Sequence, residues 1–160
     1  MTSYRTICHI IATGFGSGLS RKAPGTCGTI AALLFALAYL DFIGPPDTYI
    51  RLGIAFFVTL ISFPVINTIL ESYSEETRKD PQEIVIDEFA GFFVAAFFVE
   101  WSFTSLLLAL IFFRAFDISK IGVIKYFEKL PGAIGIVLDD VAAGLHAGII
   151  LFVLYQLLPS

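Results

Sequence analysis

The chain has 160 residues, of which 57% are hydrophobic, and carries a net charge of −4 with a mean hydropathy of +0.85. Soluble domains use about 45–50% apolar residues, so this composition excludes an ordinary soluble protein and predicts an integral membrane protein with room for one domain, 1–160. The acidic balance excludes nucleic acid as a partner.

The first 20 residues hold only the short apolar stretch CHIIA before Gly14, Gly16 and Gly18, without the long apolar core of a cleavable leader. They are expected to stay on the mature chain. Cys8 and Cys27 make no CxxC pair and are expected to be reduced and packed. Residues 29–43 are apolar up to Asp41 and are closed by Gly44-Pro45-Pro46; residues 52–70 form a cleaner run, broken only by Pro64 and Asn67. The polar stretch 71–83 follows, with Pro81 as a breaker. The run 84–116 is divided at Glu100-Trp101-Ser102, which predicts a tight hairpin of two short spans. An amphipathic piece, 117–130, and a Pro131-Gly132 break lead to a last apolar run at 141–158. This reading gives an all-α, multihelical integral membrane protein with four or five short transmembrane helices.

Lysine and arginine near span ends favour the cytoplasm. With a cytoplasmic N-terminus and five crossings, Arg5, Arg21, Lys22, Arg78, Lys79, Arg114, Lys120, Lys125 and Lys129 share the cytoplasmic side, and only Arg51 falls outside. Every unusual polar cluster then lies on that side as well. These clusters are GFGSGLSRKAPGT (14–26), Asp87-Glu88, the trio Arg114/Asp117/Lys120, and Asp139-Asp140. Each has a structural alternative. The acidic pairs suit helix caps, the trio's i, i+3, i+6 spacing suits an ion-pair ladder on one helix face, and the glycine-rich stretch suits a loop, being neither GxGxxG nor a phosphate-binding P-loop. Their coincidence on one face beside lipid favours a joint site.

Carboxylates from three segments supply hard oxygen ligands, which suit magnesium, while arginine, lysine and glycine-rich backbone amides suit phosphate oxygens. Metal-assisted chemistry on a phosphate at headgroup level points to a phospholipid substrate. Asp87, Glu88, Asp139 and Asp140 are the expected metal ligands, sharing catalysis with Asp117. Gly16, Ser17, Gly18, Arg114 and Lys120 are the expected substrate-binding residues. Other phosphatase designs lack their residues: no Cys-x5-Arg follows Cys8 or Cys27, no DxD is formed at Asp139-Asp140, and His9 and His146 are placed unsuitably for a histidine nucleophile. Hydrolysis by a metal-activated water remains.

At GFGSGLSRKAPGTCGT, IVIDEFAG, FRAFDISK and GIVLDDVAAG, in that order along the chain, the sequence resembles the phosphatidylglycerophosphatase A family. The resemblance implies a multi-pass enzyme of the bacterial inner (cytoplasmic) membrane. It would remove the terminal phosphate of phosphatidylglycerophosphate to give phosphatidylglycerol in glycerophospholipid biosynthesis, with magnesium required and the active site facing the cytoplasm. The family's motif positions fall on Asp87, Glu88 and Gly91, on Arg114, Asp117 and Lys120, and on Asp139, Asp140 and Gly144. The sequence departs from the family after Lys120, where Ile121-Gly122-Val123 replaces a proline-containing turn and is expected to let the helix run on, and at Gly132-Ala133, where Gly-Gly is usual. The rivals are a small transporter, a structural membrane subunit using Gly144-x3-Gly148 for helix packing, and another lipid-phosphate hydrolase or a phosphotransferase.

Overall fold

The computed structural model describes residues 3–73 and 81–157; Arg78, Lys79 and most of the polar stretch 71–83 lie outside the described residues, as does the end of the last apolar run. Among the described residues seven helices follow one another: α1 Ser3–Ala12, α2 Pro24–Phe42, α3 Thr48–Leu70, α4 Ile86–Phe97, α5 Phe103–Ser119, a single turn α6 Ile124–Phe127, and α7 Gly132–Leu157. No strand occurs among the described residues. The expected all-helical membrane architecture is what the chain adopts, and α2, α3 and α7 are long and apolar enough to cross a bilayer. Their outer faces carry exposed Leu34, Phe57, Leu60, Ile149 and Phe152, whereas carboxylates lie inside. That inversion of the soluble pattern is what a lipid solvent requires.

Local chemistry explains where the helices begin and end. Pro24 opens α2, earlier than hydropathy alone marks it, because proline is well placed where no amide partner is needed. Asp47 caps α3 by accepting from the Ile50 amide at 2.8 Å. Ser102 and Ser105 form a reciprocal capping box at the start of α5. The hairpin expected at residues 100–102 is therefore present, but α4 has only 12 residues, about 18 Å of helix. That falls short of a hydrocarbon core of about 30 Å. Instead of facing lipid, α4 sits in the middle, against α2, α3, α5 and α7.

Two differences from the sequence reading matter. The last helix starts nine residues before the apolar run does, so Asp139 and Asp140 lie about two turns inside α7; they cannot cap it. Asp87 and Glu88 likewise occupy the first turn of α4, whose N-cap is Val85 with no side-chain cap. The expectation that the helix continues past Lys120 is also overturned. Lys120 takes a left-handed conformation (φ 46°, ψ 48°) and ends α5, and Gly122 is left-handed as well, so the chain turns without the family's prolines.

Glycine sets how closely α4 and α7 approach. They run parallel, and a Cβ on Gly144 would collide with the Gly91 carbonyl, while one on Gly148 would enter the Phe98 ring. The Gly144-x3-Gly148 pattern is thus used within the chain rather than between subunits. At the opposite end of α4 from its acidic turn, the buried Arg51 (5% exposed) donates to the Val99 carbonyl and, at 2.7 Å, to Glu100, which ties the hairpin turn to the start of α3. Ser62 of α3 donates to the Ile86 carbonyl at 3.3 Å and fixes the other end, about 12 Å back along α3 from its last residue, Leu70.

Because the Gly144 contact is backbone to backbone, Gly144→Ala must push the two helices apart. We expect a loss of about 1–3 kcal/mol of stability, read as a lower thermal midpoint in detergent, whereas Gly53→Ala, which meets nothing, leaves the midpoint unchanged or higher.

Candidate active site

The N-terminal turns of α2 and α4, the second turn of α7 and the C-terminal end of α5 converge on one cavity of about 710 Å³. Helix N-termini favour negative charge and a C-terminus favours positive charge. This polarity matches Asp87 and Glu88 in the first turn of α4 and Lys120 at the end of α5; Asp139 and Asp140 lie too far inside α7 to share it. Asp87, Glu88, Arg114, Asp117, Lys120, Asp139 and Asp140 all line the cavity. Seven of the ten expected site residues are thereby brought together from three separate stretches of chain.

The side chains form a connected chain of charges. Arg114 bonds Glu88 and, through the same Nη1, Asp117 Oδ2 at 2.6 Å. Lys120 Nζ donates to Asp117 Oδ1 at 2.8 Å and to Asp139 Oδ2 at 2.5 Å. The left-handed turn at Lys120 allows this reach, because it ends α5 while keeping the lysine beside the helix's own Asp117. Burial alone would depress the Lys120 ammonium, but its hydrogen bonds to Asp117 and Asp139 outweigh that and hold it above the ordinary lysine value. The lysine is therefore a fixed cation at neutral pH.

Charge is nevertheless unbalanced. Six carboxylates, including Glu128, face three cations, including Lys22, around the cavity. Oxygens of Glu88, Asp117 and Asp140, all buried, lie within 4.8 Å of one another. An octahedral divalent cation with metal–oxygen distances of about 2.1 Å needs ligand oxygens roughly 3–4 Å apart, so the trio can hold such an ion with little adjustment. Asp87 adds a buried Oδ1 with no hydrogen-bond partner, a further acceptor left free for a cation. This donor set, all carboxylate oxygen, fits a hard metal. Asp117, expected in catalysis, belongs to the closest trio; Asp87 and Asp139 flank it.

Gly16, Ser17 and Gly18 are not among the lining residues. They form a 3-10 turn, Ser17–Leu19, in which a Cβ on Gly18 would strike the Glu83 carbonyl and Val85. The small residues let the turn pack beneath the entry to α4. The same N-terminal motif does reach the cavity further along, at Lys22, Ala23, Pro24, Gly25 and Thr26.

Residues outside the expected set complete the arrangement. The Thr29 hydroxyl, fully buried on α2, lies 3.0 Å from Glu88 Oε2 and 3.0 Å from the Gly25 carbonyl. A Cβ on Gly25 would collide with Glu88 Oε1, so α2 packs closely against this carboxylate. His146, by contrast, is used in packing, with Nδ1 2.7 Å from the Ala142 carbonyl and its ring against Phe116. Cys8 and Cys27 are free.

Fold and site together define a helical membrane protein whose buried carboxylates and basic groups enclose a cation-compatible cavity. The family profile of phosphatidylglycerophosphatase A matches residues 10–155, and the chain belongs to that family of phosphatases. The Haemophilus influenzae phosphatidylglycerophosphatase A is 36% identical over 146 residues, covering 90% of this chain and 86% of that protein. The Escherichia coli K12 phosphatidylglycerophosphatase A is 33% identical over 153 residues, covering 91% and 82%. A Bacteroides thetaiotaomicron protein, named provisionally as a phosphatidylinositol-3-phosphatase, is 32% identical over 151 residues, covering 90% and 91%. No solved structure matches the chain.

Thr29→Val keeps shape but removes the hydroxyl beside a buried carboxylate. A hydrogen bond to a charged group contributes about 1.5–3 kcal/mol, so kcat should fall roughly 10–100-fold with helix content unchanged, and Thr29→Ser should restore most of it. Equal activity in the valine variant would show that Glu88 is held by Arg114 alone.

Proposed function

We propose that this protein hydrolyses the terminal phosphomonoester of phosphatidylglycerophosphate to phosphatidylglycerol and inorganic phosphate, with magnesium as cofactor. The observation that carries this reading is the excess of carboxylates over cations in the cavity. A phosphate dianion cannot enter a net negative, largely buried site unless a divalent cation offsets the charge. Glu88, Asp117 and Asp140 would hold the ion, with Asp87 and Asp139 beside it. Bound there, magnesium supplies positive charge to the phosphoryl oxygens and lowers the pKa of water in the site.

The chain's own groups do the rest. Arg114 and Lys120 leave part of their pairing with Glu88, Asp117 and Asp139 to meet phosphate oxygens, Arg114 through its planar fork. Lys22, two residues before α2, lines the same cavity. A carboxylate accepts a proton from water as the water oxygen bonds to phosphorus; the phosphorus–oxygen bond to glycerol breaks, and the carboxyl group so formed returns the proton to the leaving glycerol oxygen. The lipid-facing helices keep the acyl chains in the bilayer while the headgroup enters the cavity. The lysine and arginine distribution supports an inner-membrane protein whose cavity faces the cytoplasm.

Purified protein supplied with phosphatidylglycerophosphate, a phosphoinositide monophosphate and phosphatidic acid should release inorganic phosphate fastest from the first, only with magnesium, and not after chelation. Asp140→Asn and Asp87→Asn should each reduce this release by more than the roughly 10–100-fold that losing an outer partner of a metal ligand costs, while remaining folded. Near-normal magnesium-dependent hydrolysis in both variants would overturn the metal site, and faster release from the phosphoinositide would reassign the substrate. In a chain with Cys8→Ala and Cys27→Ser, a cysteine at position 125 should label from the cytoplasmic side and one at position 100 from the opposite side; the reverse pattern would invert the orientation.

A further inference from the structure

Between α5 and α7 the chain makes a strap, 121–131, of which the chemistry above uses only the charge of Glu128. Both its ends reach the cavity. Ile118 and Lys120 before it, Glu128 and Leu130 within it and Gly132 after it line the mouth. Ile124 is fully buried and pins the strap to the body of the protein. Its remaining surface sets exposed apolar side chains beside exposed lysines. Ile121, Val123 and Tyr126 are 59%, 46% and 65% exposed, beside Ile118 at 70%, although only a single helical turn, Ile124–Phe127, is present and no span passes there. Interleaved with them, Lys125 and Lys129 are exposed and make no ion pair among the described residues.

We propose that the strap 121–131 is a recognition surface for anionic phospholipids neighbouring the substrate, with Ile121, Val123 and Tyr126 entering the edge of the leaflet and Lys125 and Lys129 meeting lipid phosphates. Amphipathic surfaces of this composition bind in the headgroup plane, where apolar residues reach the acyl boundary and lysines pair with anionic lipids. Lys125 lies in the helical turn and Lys129 two residues beyond its end, so the two cations are spread along the strap. Their charge is complementary to the headgroup layer and opposite to that of the cavity, which their strap neighbours Glu128 and Leu130 line. A net negative cavity repels anionic lipids; two unpaired cations on the adjoining strap raise their local concentration near it. The left-handed residues Lys120 and Gly122, where the family's proline turn is missing, direct the chain into this strap.

The inference deepens the lipid-phosphatase reading and rests on it for its activity measurement alone. The full-length chain, carrying Cys8→Ala and Cys27→Ser, receives an NBD probe on Tyr126→Cys and is placed in nanodiscs of phosphatidylcholine with rising phosphatidylserine. NBD emission should strengthen and shift to the blue as phosphatidylserine rises, and Lys125→Gln with Lys129→Gln should abolish that response. In parallel, the double glutamine variant of the otherwise unaltered chain should raise the apparent KM for lipid phosphate roughly tenfold in phosphatidylserine discs, with kcat unchanged, and match the parent in pure phosphatidylcholine.

An NBD response that persists in the double variant would overturn the proposal. A KM raised equally in pure phosphatidylcholine would overturn it too, by assigning the lysines to the substrate itself. A normal NBD response in discs where no phosphate is released from any lipid would uphold the surface and refute the phosphatase reading instead.

Discussion

Backbone contact between two parallel helices holds the rest of the protein in place. Where Gly91 of α4 meets Gly144 of α7 there is no room for a Cβ, so the two helices lie closer than side chains ordinarily allow. A short helix surrounded by four others can then carry two carboxylates in its first turn and set them beside two more from the second turn of its neighbour. Carboxylates in this environment are costly unless paired or bound to a cation. The arginine and lysine of α5 meet part of that requirement through Glu88, Asp117 and Asp139, and Glu88, Asp117 and Asp140 are close enough together to accept a metal ion.

Much of this was legible because lipid makes polar residues conspicuous. In a chain with more than half its residues apolar, Asp87-Glu88, Arg114/Asp117/Lys120 and Asp139-Asp140 stand out against hydrophobic runs, and the structure brings all seven to one cavity. The hairpin break was marked by Glu100-Trp101-Ser102. The start of α7 was obscured by Asp139-Asp140 themselves, because two adjacent carboxylates divide the apolar stretch Ala133 to Leu138 from the longer run that follows, and the pair reads as a boundary. The alternative of helix capping for Asp139 and Asp140 survived in the sequence for that reason, and it disappears once the helix is seen to start before them.

Glycine was ambiguous in a different way. A glycine that lets a ligand approach and one that lets a neighbouring chain approach leave the same letter in the sequence. Gly18 serves Val85 and the Glu83 carbonyl, whereas Gly25, a few residues on, makes room for Glu88. Thr29 was hidden because a lone threonine in an apolar helix usually returns its hydroxyl to the carbonyl one turn back; the one here reaches that carbonyl and Glu88 as well. The departure after Lys120 was visible, but its result was not, since a lysine in left-handed conformation is uncommon.

The shortness of α4 also bears on how the molecule is made. Helices α2, α3 and α7 can each enter a bilayer independently, as stable spans normally do before they associate. A 12-residue helix that opens with two acids cannot. Until α7 arrives to supply Gly144 at its side, the hairpin of α4 and α5 has no complete seat, so insertion of the last helix and completion of the acidic centre are one event. A nascent chain halted before that helix holds the carboxylates of α4 without their partners from α7, so the acidic centre exists only once α7 is in place.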